Sequence, residues 1–80
     1  MDFHKAIYNF MMYGFNYDCN FVHKVFGKHY DGYMIHHLEK KFESAYETAG
    51  CWGAFFLFWS ELDTKNKHIL EDWIMDNFQG

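Results

Sequence analysis

An all-α fold is what this sequence predicts: a compact bundle of four to five short helices around one central apolar helix, at about residues 51–62. Three observations predict it. Apolar residues recur at helical spacing in successive segments along the chain. No segment alternates polar and apolar residues as a half-buried strand does. The stretch Cys51-Trp52-Gly53-Ala54-Phe55-Phe56-Leu57-Phe58-Trp59 carries no charge and is apolar nearly all round, which marks a helix packed on several sides. With 80 residues, the chain is expected to be a single helical domain, 1–80.

The first segment places Phe3, Ile7, Phe10, Met11 and Tyr13 close to a helical period, with Asp2 as N-cap and Gly14 as the stop. Asn16-Tyr17-Asp18 reads as a short connection, and Asp18 caps a second helix that holds Phe21, Val22, Val25 and Phe26 and ends at Gly27. Lys28 to Gly32 is a polar turn. From Tyr33 to Ala49 the seam Ile35, Leu38, Phe42, Ala45, Ala49 advances by threes and fours, which defines one buried face. Gly50 closes that helix and leads at once into the central one, so the two are expected to form a hairpin or a sharp corner.

On the central helix, Trp52, Phe55, Phe56, Trp59 and Leu62 share one face at the helical period, while Phe58, Leu57 and Ala54 cover much of the rest, so the spacing marks a helix without selecting which aromatic face is exposed. A membrane span needs about 20 apolar residues, and this run stops at Ser60-Glu61. Asp63 is the expected cap of the last helix, with Asn66 at its third helical position and Ile69, Leu70, Trp73, Ile74 and Phe78 on its apolar face.

Composition narrows the functions. The chain holds 3 Trp, 6 Tyr and 10 Phe in 80 residues, more ring surface than so small an interior accommodates. The expected overflow is an exposed aromatic patch of the kind found at interfaces. All 7 basic residues are Lys against 11 acidic ones, a net charge of −4. Without Arg the chain lacks the planar fork that reads phosphate and guanine, and direct nucleic-acid binding is disfavoured. Proline is absent as well. Missing Arg and Pro codons, both GC-rich, point to an AT-rich gene such as those of low-GC bacteria, their phages and mobile elements. Cys19 and Cys51 are the two cysteines, and they read as reduced thiols of a cytoplasmic protein.

Two constellations bear on chemistry. Cys19 and His23 lie one helical turn apart, and with His36 they are the metal candidates. No CxxC or HExxH accompanies them, so the expectation is no metal and no cofactor. Read as nucleophile and base, Cys19 and His23 lack a loop that would stabilise an oxyanion, and an enzyme is not expected.

Glu39, Glu43 and Glu47 form a row of like charge at successive turns of the third helix. Each such pair costs that helix a few tenths of a kcal/mol, a cost with a purpose if the row meets a basic partner surface. Tyr13, Tyr17 and Tyr30, from the tyrosine-rich first half, are the candidate aromatic anchors.

This profile resembles, in type only, the small orphan proteins of phages and mobile elements, many of which block a host or defence protein, anti-CRISPR proteins among them. The likeness rests on no shared motif and assigns no residue. The function expected is a small non-enzymatic protein-binding module that acts as an inhibitor by occupying a partner's surface. A homo-oligomer, such as a homodimer, and a metal-binding helical domain are the alternatives.

Overall fold

Phe3 opens the first helix of the computed structural model, which describes residues 3–15 and 20–78, without the side chains of Cys51 and Trp52. All of its regular elements are helical, as the patterning predicts. The caps expected at Asp2 and Asp18 lie outside the described residues.

Helix α1 (Phe3–Asn9) runs directly into a π-helical turn (Phe10–Gly14). A π-turn bonds each residue to the one five further on, so the side chain stacked under Phe10 is Phe15 rather than Tyr13. The rings of Phe10 and Phe15 sit 5.5 Å apart in the core. Tyr13, placed on the apolar face by a strict 3.6-residue period, instead turns outward and is 76% exposed. Gly14 then lies beneath the Phe78 ring. A Cβ there would stand 2.2 Å from Phe78 Cζ, which explains glycine at this point of close approach.

Helix α2 (Asn20–Phe26) buries Phe21, Val22, Val25 and Phe26, the four residues its spacing indicates. The polar turn after it ends at Asp31. The extended backbone and Oδ1 of Asp31 make it the N-cap of α3 (Gly32–Glu61), accepting a hydrogen bond from the Met34 N–H at 3.1 Å.

Helix α3 is bent at Gly50, whose φ of 77° and ψ of −172° interrupt otherwise helical backbone. That region is accessible essentially to glycine alone. The bend folds residues 51–61 back along residues 32–49, the sharp corner that the adjacency of the two segments predicts. Ring centroids of Phe42 and Phe58 come within 5.6 Å across it, and Lys41 Nζ reaches the Glu61 carbonyl oxygen at 3.5 Å. Ile35, Leu38, Phe42 and Ala45 form the buried seam of the first arm. Ala49, the expected fifth member, is exposed because it sits at the bend.

Packing selects one side of the second arm, which the sequence pattern leaves open. Its buried side chains are Ala54, Phe55 and Phe58, followed by Leu62, whereas Phe56 is 52% exposed and Trp59 only half-buried. Trp59 keeps its polar edge paired: Nε1 donates to Glu71 Oε2 at 3.0 Å, and Lys67 Nζ lies 4.8 Å from the ring centroid.

Asp63 caps α4 (Thr64–Asn77) as expected, accepting from the Asn66 N–H at 2.9 Å. Leu70 and Ile74 of α4 are fully buried, while Ile69, Trp73 and Phe78 pack partly buried against the core.

Phenylalanine rings fill the centre. Phe10 contacts Phe15, Phe21, Phe55, Trp73 and Phe78, with centroids 5.3–5.9 Å apart. Phe21 in turn meets Phe42 at 4.9 Å and Phe58 at 5.9 Å, both close to perpendicular. Tilted and edge-on pairs of this kind contribute about 0.5–1.5 kcal/mol each beyond the area they bury.

Candidate interaction surface

The three glutamates of the acidic row differ in their surroundings. Glu39 faces α2, and its Oε2 accepts from His23 Nε2 at 3.0 Å. A carboxylate carries no donor, so the proton in this contact belongs to the imidazole. Glu43 is paired with Lys40 one turn earlier at 3.4 Å on the solvent side. Such an exposed pair stabilises the helix by about 0.3–0.5 kcal/mol. Glu47 is exposed further along the same arm. Glu43 and Glu47 therefore present charge to solvent, and Glu39 spends much of its own within the fold.

The tyrosine anchors divide in the same way. Tyr13 stands out from the π-turn beside Met12 and near Tyr8, all three exposed. Tyr30 is half-buried, and its hydroxyl donates to Oδ1 of Asn66, the one buried polar residue among those described. Its ring also stacks near Phe26, with Lys65 Nζ 5.5 Å from the centroid. Tyr30 thus fastens the α2–α3 turn to the start of α4. Tyr17 lies outside the described residues.

A feature that sequence reasoning missed lies between α1 and the second arm of α3. Phe3, His4, Ile7, Phe55, Phe56 and Trp59 line an open cleft of 230 Å³, with Phe56 at its lip. The pattern gave one usable signal, since a helix apolar on all sides cannot bury every ring against its neighbours. It did not identify which ring stays out.

Of the metal candidates, Cys19 lies outside the described residues, His23 is engaged with Glu39, and His36 is exposed on α3. Among the described residues no three His, Cys, Asp or Glu side chains gather closely enough to hold an ion. No helix among them is long and apolar enough to cross a membrane.

Comparison with family models, with curated proteins and with solved structures finds no match to this chain.

Proposed function

We propose that this protein is a small, non-enzymatic binding module that acts by occupying a surface on another protein. The observation that carries the reading is the disposition of its large side chains. Phenylalanines saturate the interior, yet Tyr8, Met12, Tyr13, Tyr33 and Phe56 remain in solvent at 48–86% exposure. Exposed rings with few rotatable bonds are inexpensive to order, and they anchor interfaces. Glu43 and Glu47 add a negative stripe suited to a partner with a basic surface, where charge governs the rate of encounter more than the strength of the final contact. Carried over from the likeness of type to phage and mobile-element proteins, the outcome of such occupancy is inhibition of the partner.

The test is affinity capture from cells that produce the protein, comparing wild type with Glu43→Lys/Glu47→Lys and with Tyr13→Ala. Glu39 and Tyr30 are left intact because both also hold the fold together. One enriched protein, depleted with the charge-reversed pair and with Tyr13→Ala, supports the reading. Equal recovery with all three baits removes these residues from the interface, and recovery of the bait alone refutes the proposal.

A further inference from the structure

Helices α2 and α4 meet along a cleft whose two walls carry opposite charge. On α4, Ile69, Asp72, Trp73 and Asp76 recur at helical spacing and share one face. Across the cleft stand Lys24 of α2, with Lys28 and His29 of the turn that follows it. The two lysines and two aspartates are exposed, and none makes a hydrogen bond or ion pair with a described residue, in contrast to His23–Glu39 and Lys40–Glu43. The floor between the walls is apolar: Val25 is buried, and Ile69 and Trp73 are half-buried. Trp73 is held by the Phe10 and Phe78 rings, and its indole N–H, unlike that of Trp59, has no partner among the described residues.

We propose that this cleft binds a free α-amino acid with an aliphatic side chain, of which leucine is the test case. Facing walls of opposite charge select a ligand that carries both charges itself. Its carboxylate turns to Lys24 and Lys28 and its ammonium group to Asp72 and Asp76, whereas a simple anion or cation loses at one wall what it gains at the other. The apolar floor takes the side chain. The cleft has a volume of 220 Å³. A cavity of about 150 Å³ takes up benzene, with about six non-hydrogen atoms, so this one corresponds to about nine, the number in leucine. Because every charged group is exposed, water and salt screen each contact, which sets the affinity in the millimolar range. The cleft shares no residue with the exposed rings and glutamates of the proposed partner surface, so the two readings stand or fall separately.

The test is titration of the isotope-labelled protein with L-leucine, followed by two-dimensional amide NMR with the Trp73 indole resonance as reporter. Saturable shifts are expected at Trp73 and at the amides of residues 24–29 and 69–76, the two walls of the cleft. Two analogues and two variants then cross-check the orientation of the ligand. N-acetyl-L-leucine lacks the ammonium charge and L-leucinamide lacks the carboxylate, and each is expected to bind about fivefold more weakly than leucine. Lys24→Gln/Lys28→Gln is expected to weaken leucine by about the same factor and leucinamide not at all, since that analogue has no carboxylate to lose a partner. Asp72→Asn/Asp76→Asn is expected to weaken leucine and leave N-acetyl-leucine no weaker. Absence of saturable shifts in the cleft at tens of millimolar leucine overturns the proposal. Equal binding of leucine and both analogues also overturns it, as does a variant that weakens the analogue lacking the matching charge. Should either variant lose its fold, the comparison of the three ligands on wild type decides.

Discussion

Neighbouring phenylalanines on the second arm of α3 provide the sharpest test of its rotation. Phe55 and Phe58 are 1% and 0% exposed, and Phe56, between them in sequence, is 52% exposed. Truncating a fully buried Phe to Ala costs about 3–5 kcal/mol, because the lost transfer energy is joined by a cavity that its neighbours fill only in part. Around Phe58 those neighbours include the Phe21 and Phe42 rings, whose edge-on contacts are lost as well. Phe56 forfeits only the buried half of a side chain worth about 1.5–3 kcal/mol, and its truncation opens to water rather than to a void, so the loss is about 1 kcal/mol. A chain of 80 residues has a total stability of about 4–12 kcal/mol, so Phe58→Ala removes much of it and Phe56→Ala little. Urea denaturation followed by circular dichroism reads the difference. With a slope of about 1 kcal/mol/M, the midpoint falls by about 1 M for Phe56→Ala and by about 3 M or more for Phe58→Ala. If Phe58→Ala has no folded baseline, Phe58→Leu, at about 1–2 kcal/mol, supplies the comparison. Equal losses at 56 and 58, or a larger loss at 56, would point instead to the face that runs through Trp52, Phe56 and Trp59 and refute the orientation described here.

Further outcomes follow from the polar contacts. Tyr30→Phe strips the buried Asn66 carbonyl oxygen of its donor and is expected to cost about 1–3 kcal/mol, while Tyr33→Phe, on an exposed ring, leaves the urea midpoint unchanged. Asp63→Ala removes the cap of α4 and is expected to lower stability by about 1 kcal/mol, with Asp63→Asn recovering most of it; thermal melts, which move about 4–8 °C per kcal/mol for a domain of this size, resolve both. Glu39→Gln leaves His23 a neutral acceptor in place of a carboxylate, and the stability read from urea denaturation is expected to change by no more than about 1 kcal/mol, since the imidazole is largely exposed.

Where local chemistry sets structure, the sequence was legible. The Asp63 cap, the corner at Gly50 and the seam through Ile35, Leu38, Phe42 and Ala45 each follow from a residue type at a fixed offset, and each stands in the structure. Periodicity overran at Ala49, which sits exposed at the bend, and fell short in two further places for different reasons. On residues 51–61 apolar side chains occupy all faces, so the pattern has no preferred direction and only packing against α1 and α2 selects Phe55 and Phe58. At Phe15 the spacing from Phe10 is that of a π-turn, which a search at 3.6 residues passes over. The candidate surface was legible in kind more than in place. An aromatic surplus announces exposed rings, but Phe56 emerges only when the helix is oriented. The His23–Glu39 and Tyr30–Asn66 contacts join distant parts of the chain, and no short-range rule reaches them.

The ring shell around Phe10 also sets the order in which the fold can be completed during synthesis. Two of its walls, Trp73 and Phe78, come from the far end of the described chain, and Asn9 Nδ2 donates to the Phe78 carbonyl at 3.2 Å across 69 residues of sequence. Helices α1 and α2 have 7 residues each, well short of the ~12–15 at which an isolated helix persists in water. A nascent chain therefore carries Phe10 incompletely covered until the last turn of α4 leaves the ribosome. For that interval its longest-lived apolar surface is the one destined for the centre of the bundle, which makes the growing chain more dependent on protection from aggregation than the finished one.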